Sequence, residues 1–274
     1  MLIRVWYKWM LLAAAFSLSL PLSAHEFWLS PHRYAVNTDQ QIIADIRVGQ
    51  NMQGDTYAYF PQEFERFDVR IAGKTRPLSN RFAQTPAVGE DTNVDGLHIL
   101  IHQSTTSKIT YESAEKFASF LRNEGISWVL QEHKKRDLPA ADFTEVYQRF
   151  AKSLVKVGNG QGNDSATGMV FEWVLQDNPY TNTKHTIRGQ LLFQGKPFAN
   201  SQASVFHKRN GKVVQTNYQT DKNGMVDILV KGGGEFLVNA VHMIEPNREQ
   251  SGFSGAVWMS LWASITFAVL PTGE

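Results

Sequence analysis

Residues 185–244 read HTIRGQLLFQGKPFANSQASVFHKRNGKVVQTNYQTDKNGMVDILVKGGGEFLVNAVHMI. Short apolar runs alternate in this stretch with glycine-containing turn signals, at 195–197, 210–211, 223–224 and 232–234. Strands at such short spacing, with turns between them, are typical of a small β-sandwich. We therefore predict a C-terminal β-sandwich over residues 169–274. The apolar stretch GAVWMSLWASITFAVL, residues 255–270, is interpreted as its final strand rather than as a membrane helix.

The region before the sandwich changes its apolar period. The runs QQIIADIRVG (40–49), FDVRIAG (67–73) and DGLHILIHQS (95–104) predict β-strands. Helical spacing then appears in the segment after Ser113 and in DFTEVYQRFAKSLVKVG (142–158), which ends at a glycine. We predict a helical segment over about residues 113–157, consisting of amphipathic helices packed on a sheet.

A polar, glycine-rich segment, GNGQGNDSATG (158–168), separates the two regions. It follows a predicted helix rather than a strand and lacks the lysine of a phosphate loop and the regular repeat of a calcium loop. We interpret it as a flexible connection. The predicted fold class is mainly β, with two β-sandwich-like parts, an N-terminal region over 25–168 and the C-terminal sandwich, and an intervening pair of amphipathic helices.

Residues 1–24 have the layout of a secretory signal peptide. Arg4 and Lys8 precede an apolar run, and Leu22-Ser23-Ala24 offers a cleavage site that would make His25 the first residue of the mature chain. An uncleaved anchor helix is the alternative. Removal of the leader leaves 25 of the 27 basic residues against 26 acidic ones, which argues against a nucleic-acid partner. Export with no cysteine favours a bacterial periplasm and no stable membrane span in the mature chain.

Several of these stretches resemble one known family. They are AHEFWLSP (24–31), YQRFAKSLVKVG (147–158), GKPFANSQASVF (195–206), TDKNGMVDI (220–228), GEFLVNAVHMI (234–244) and WMSLWASITFAV (258–269). The chain resembles the domain-of-unknown-function 4198 family of exported bacterial proteins, some of which are associated with cobalt or nickel uptake. The sandwich itself resembles transthyretin-like, or carboxypeptidase-regulatory-like, modules.

The resemblance implies a two-part β-rich fold, a role in metal handling and a metal-uptake membrane transporter as partner. His25 and Glu26 match the opening of the family, and His242 matches the histidine after its penultimate sandwich strand. His32 lies just beyond the opening motif.

A mature N-terminal histidine carries two metal-binding nitrogens, the α-amine and the imidazole. Their reference pKa values, about 7.7 and about 6.5, allow both to be neutral donors near neutral pH. Nitrogen donors of this kind suit nickel, cobalt, copper or zinc. We therefore predict a periplasmic transition-metal-binding protein that chelates nickel, cobalt or copper through His25. His242, His32 and Glu26 are the further candidate ligands.

Two other functions remain open from the sequence. A carbohydrate- or protein-binding β-sandwich without metal is one, since Trp258 and Trp262 are four residues apart and would either form a sugar platform or be buried. A copper-dependent oxidative enzyme is the other, because such enzymes also begin with a histidine. The sequence contains no G-x-S-x-G element, no H-E-x-x-H motif and no cysteine nucleophile, so we expect the protein not to be an enzyme.

Overall fold

The computed structural model describes residues 26–270, apart from the side chains of residues 249, 250 and 253. The predicted signal peptide and His25 lie outside the described residues. The strands are β1 (Glu26–Pro31), β2 (Ala35–Val36), β3 (Gln41–Gln50), β4 (Gln53–Tyr57), β5 (Phe64–Ile71), β6 (Lys74–Pro77), β7 (Val88–Asp91), β8 (Gly96–Ser104), β9 (Ser107–Tyr111), β10 (Phe143–Val157), β11 (Phe171–Leu175), β12 (Thr186–Phe193), β13 (Lys196–Pro197), β14 (Gln202–Arg209), β15 (Lys212–Gln219), β16 (Met225–Leu229), β17 (Gly234–Ile244) and β18 (Ala256–Val269). The helices are α1 (Ala114–Asn123), α2 (Trp128–Lys135) and α3 (Arg248–Ser254), and Pro61–Glu63 form one 3-10 turn.

A ten-stranded sheet forms the centre of the described chain. Its strands run in the order β15-β14-β17-β18-β10-β8-β5-β6, with β2 and β9 also paired to β10. The pair β10–β18 is parallel, whereas β17–β18 and β10–β8 are antiparallel. Because β8 and β10 precede residue 168 and β17 and β18 follow it, the two predicted regions share this one sheet.

Each face of the central sheet is covered by a different layer. Side chains of strand β8 alternate between the two faces: Leu97, Ile99 and Ile101 pack into one core, and Leu100 packs into another. The first core is closed by the small sheet of β11, β12, β13 and β16. The second core lies beneath the sheet of β1, β3, β4 and β7, and helices α1 and α2 cover a third core beside it. The prediction of a mainly β fold with a pair of intervening helices is confirmed.

The predicted helical segment over 113–157 is wrong in its second half. Helices α1 and α2 occupy its beginning, but residues 143–157 form strand β10, buried on both faces. Val146, Phe150 and Leu154 suggested a helix because they are four residues apart, yet a spacing of four also keeps side chains on one face of a strand. A central strand buried on both faces reads as a near-continuous apolar run, without the alternation that marks a surface strand.

The tail is a strand, as predicted. Strand β18 pairs with β10 on one side and β17 on the other, and no helix within the described residues is long and apolar enough to cross a membrane. Trp258 and Trp262 are 1% and 4% exposed under α1 and α2, so the idea that they form a surface sugar platform is wrong. The Trp258 indole instead donates a hydrogen bond to His133 Nδ1 at 2.9 Å.

Candidate functional site

Strand β1, which belongs to a four-stranded sheet, carries Glu26 beside the central sheet. Phe27 and Leu29 point into the second core, whereas Trp28 packs on the other side against Phe206 and Leu237 of the central sheet. Glu26 shares the face of Trp28, because side chains alternate along a strand. Its carboxylate is largely buried, and Oε2 accepts no hydrogen bond from the described residues.

The second carboxylate of the site is Glu124, at the C-terminal end of α1. Its backbone N–H donates to the Phe120 carbonyl at 3.0 Å, which closes the helix. A helix C-terminus carries partial negative charge, so it is an unfavourable place for an acidic side chain. Local helix energetics therefore do not explain why a buried glutamate stands here.

Asn239 of β17 lies against Glu124. Its Nδ2 donates to Glu124 Oε2 at 3.5 Å, and the residue is 1% exposed. The Oδ1 of this amide is buried and has no hydrogen-bond partner among the residues described. A buried carbonyl oxygen without a hydrogen bond lowers the stability of the fold. The polar groups around Glu124 therefore lack at least one hydrogen-bond donor.

A polar cleft of about 420 Å³ opens beside the two carboxylates. We call it the acidic cleft; it is lined by Glu26, Gln50, Asn51, Arg122, Asn123, Glu124, Ser204, Gln215 and Asn217. The lining contains one cation, Arg122, whose guanidinium is engaged by Glu115 at 2.6 Å. Within residues 26–270 neither Glu26 nor Glu124 forms an ion pair.

Burial and proximity hold protons on this carboxylate pair. Burial raises the pKa of Glu26 to about 7 against a weaker opposing effect of a backbone hydrogen bond. Burial, and then the charge of Glu26, raise the pKa of Glu124 to about 8. Two neighbouring carboxylates without a cation ionise together only with difficulty, so near neutral pH the pair retains a proton. A divalent cation that displaced the proton would supply the missing charge.

Of the predicted ligands within the described residues, His32 and His242 lie apart from Glu26. Glu26 lies in the acidic cleft, and His25, which is covalently bonded to it, lies outside the described residues. His32 follows the opposite end of β1, where its exposed ring contacts Asp45 Oδ2 at 3.2 Å. Six residues of extended strand, about 20 Å, separate it from Glu26.

His242 lies on the face of β17 opposite to Asn239. Its ring packs among three aromatic rings, with centroid distances of 6.0 Å to Phe171, 4.9 Å to Phe193 and 4.5 Å to Phe198. Burial in this aromatic surrounding lowers the pKa of His242 to about 4. The central sheet therefore stands between His242 and the acidic cleft.

Sequence reasoning missed Glu124 and Asn239. Neither belongs to a motif, and they meet Glu26 only because α1, β17 and β1 converge. The one local signal is the acidic residue at a helix C-terminus, directly before Gly125. Across the described part of the chain, no three His, Asp or Glu side chains cluster closely enough to hold a metal on their own.

The comparisons with known proteins identify the family. The model of the domain-of-unknown-function family DUF4198 matches residues 22–244, so the chain belongs to this family. No curated protein matches the chain.

Two solved structures are similar at low level. A tetra-tandem repeat in the extending region of a large adhesion protein is 12% identical, with a TM-score of 0.22, and the match covers 91% of this chain. The chain spans about half, 50%, of the length of that protein. The D0-D1 domain of intimin is 10% identical, with a TM-score of 0.21, over 87% of this chain and 96% of that one.

Proposed function

We propose that this protein binds a divalent transition metal in the acidic cleft and hands it on without chemical conversion. The observation that carries the proposal is the pair of half-buried carboxylates, Glu26 and Glu124, with no cationic partner among the described residues. The pair adjoins the residue that would become the new N-terminus if the leader is cleaved after Ala24. Carboxylate oxygens and the two nitrogens of His25 would together give a mixed oxygen and nitrogen donor set.

This donor set suits nickel, cobalt or copper. Imidazole and amine nitrogens favour these later transition metals, and carboxylates neutralise the charge of the ion. Asn239 acts as a positioning residue, since its amide holds Glu124 Oε2. The proposed setting is the periplasm, with a metal-uptake transporter in the membrane as the receiving partner.

The testing experiment is calorimetric titration of the mature chain with native His25 at its terminus, using nickel, cobalt, copper and zinc. A second sample carries one extra residue before His25, which converts the α-amine to an amide but keeps the imidazole. A third carries Glu124→Gln, and a matched control carries Glu112→Gln, an exposed carboxylate just before α1. We expect tight binding to the native chain and the control, and loss of at least about tenfold in affinity in the other two.

Each part of the proposal has its own failing result. Equal affinity with and without the extra residue would remove His25 from the site, leaving a carboxylate site alone. Equal metal affinity in Glu124→Gln and wild type would show that the acidic cleft is not the metal site. Weak binding of all four metals to the native chain would overturn metal binding as the function.

A further inference from the structure

A second cavity lies on the other side of β1 from the acidic cleft. Its volume is about 270 Å³, and it opens between β1, β3 and β4 on one side and β8 and β10 on the other. We call it the aromatic cavity; its principal side chains are Phe27, Tyr57, Phe60, Phe64, His102 and Arg149. Phe27 and Glu26 are consecutive residues that face the two different cavities.

Arg149 is the unusual member of this lining. Its guanidinium is largely buried, and Nε is shielded from water with no acceptor among the described residues. The cation stacks over the ring of Tyr147 at 4.7 Å and over that of Phe27 at 5.5 Å. Burial lowers the pKa of this arginine, and the groups that weakly oppose the effect are the phenols of Tyr147 and Tyr57 rather than a carboxylate. No carboxylate in residues 26–270 pairs with it.

Two other arginines whose side chains are only about a quarter exposed have acidic partners. Arg66 pairs with Asp68, and Arg136 pairs with Glu245. Contact with ring faces offsets part of the desolvation cost of Arg149, but it engages the plane of the guanidinium and leaves the two terminal NH2 groups without a partner among the described residues. A buried cation with a free donor edge is a binding element for a planar anion.

The rest of the lining fits the body of such a ligand. His102 is 3% exposed and sits among the rings of Phe27, Phe64 and Phe67, and its Nδ1 has no partner within the described chain. Burial and the charge of Arg149 lower the pKa of His102 to about 3, so its ring is neutral and Arg149 supplies the positive charge at this end of the cavity. Glu63, the acidic residue of the lining, is exposed.

We propose that the aromatic cavity binds a small organic carboxylate with a flat apolar body. The carboxylate pairs with the terminal NH2 groups of Arg149, and the body lies against Phe27, Phe60 and Phe64. The volume of about 270 Å³ is at the small end for ligand sites, which limits the ligand to about one ring and its carboxylate. This site is distinct from the acidic cleft and does not depend on metal binding.

The probe for this proposal is benzoate, titrated calorimetrically into the metal-free mature protein. Benzamide has the same shape without charge, acetate has the charge without the ring, and inorganic phosphate is an anion of different geometry. We expect benzoate to bind at least about tenfold more tightly than each of the other three, since both halves of the site are needed. This comparison uses only the wild-type protein, so it does not depend on how a variant folds.

Two variants locate the binding. Arg149→Gln should lower benzoate affinity by at least about tenfold, whereas Arg33→Gln, an exposed arginine near the far end of β1, should leave it unchanged. Phe60→Ala, at the half-buried rim, should weaken benzoate and leave acetate unaffected. Glu124→Gln should have no effect, which separates this site from the metal proposal.

Three results would overturn the proposal. They are benzoate binding no tighter than benzamide, phosphate binding more tightly than benzoate, or equal benzoate binding in Arg149→Gln and wild type. In those cases contact with the two aromatic rings and with solvent is enough to stabilise Arg149, and the cavity is not a ligand site.

Discussion

Two groups of buried charges in this molecule are built in opposite ways. On the sandwich side of the central sheet, the fully buried Lys152 of β10 contacts Asp164 Oδ1 at 2.5 Å and lies 4.0 Å from Glu172 Oε2. Its Nζ also donates to the carbonyls of Ser165 and Trp173, at 3.2 and 2.9 Å. Backbone N–H groups of the segment 165–168 and of β11 complete the two carboxylates.

On the other side of the sheet, the half-buried carboxylates of Glu26 and Glu124 have no cationic partner among the described residues. Their pKa values are raised, to about 7 and about 8, whereas the Asp164 and Glu172 carboxylates each face the Lys152 ammonium and accept backbone N–H bonds. A buried ion group that is satisfied within the chain stabilises one arrangement of the backbone. A carboxylate pair that lacks a cation costs stability, which makes it a candidate ligand site rather than a stabilising element.

The largest expected effect comes from breaking the satisfied group. Lys152→Met keeps an unbranched chain in the site but leaves Asp164 and Glu172 buried as an acidic pair without a cation. We expect the free energy of unfolding to fall by about 3–5 kcal/mol, the usual cost of removing one partner from a buried ion pair. Denaturant unfolding followed by circular dichroism measures this change.

A lysine in a similar pair on the surface provides the control. Lys208 of β14 lies 3.4 Å from Glu235, but both side chains are more than a third exposed. Lys208→Met should change the free energy of unfolding by less than about 1 kcal/mol. Equal losses in the two variants would show that burial around Lys152 does not matter, and the contrast between the two charge groups would disappear.

The next effect has the opposite sign. Glu124→Gln should stabilise the metal-free protein at pH 9 by about 2–4 kcal/mol, because wild type must there ionise a carboxyl whose folded-state pKa is about 8 and whose ordinary value is 4.5. A raised acidic pKa means that stability is lost as pH rises from about 4.5 to about 8. The difference between variant and wild type should therefore vanish near pH 4.5.

Unfolding curves at pH 4.5, 7 and 9 for the two proteins measure that difference. Glu145, a buried acid with a pKa raised by burial to about 7, titrates in the same range in both proteins, so its contribution cancels. A difference that is independent of pH would mean that Glu124 is not a strained carboxylate.

A smaller effect is expected in the pH dependence of metal binding. The metal must displace the protons that the Glu26–Glu124 pair and the two nitrogens of His25 hold at lower pH, so affinity should rise by at least about tenfold per pH unit below pH 7. It should become flat above the pKa of Glu124, about 8. Calorimetry in buffers of different ionisation enthalpy counts the released protons, and a constant affinity from pH 6 to 9 would contradict the proposed site.

The comparison of the two charge groups also explains what the sequence could and could not reveal. The mainly β fold, helix α1 and the final strand follow from local periodicity and turn residues. Strand β10 did not, because a central strand buried on both faces loses its alternation. The segment 158–168 was interpreted as a flexible connection, yet Asp164 and Thr167 fasten it to Lys152 and Glu172. Neither charge group is encoded locally, since its members come together only through pairing of distant strands.

The smallest expected effect concerns the two histidines that the sequence suggested as ligands. His32→Ala removes an exposed ring whose partner is Asp45, and His242→Phe replaces one ring by another inside an aromatic cluster. Because the first lies at the far end of β1 and the second behind the central sheet, we expect metal affinity to stay within about twofold of wild type in both variants. The titrations used for Glu124→Gln measure this directly. A loss in His242→Phe comparable to that in Glu124→Gln would place the metal on the sandwich side of the sheet, where the only buried carboxylates are already neutralised by Lys152 in the described chain.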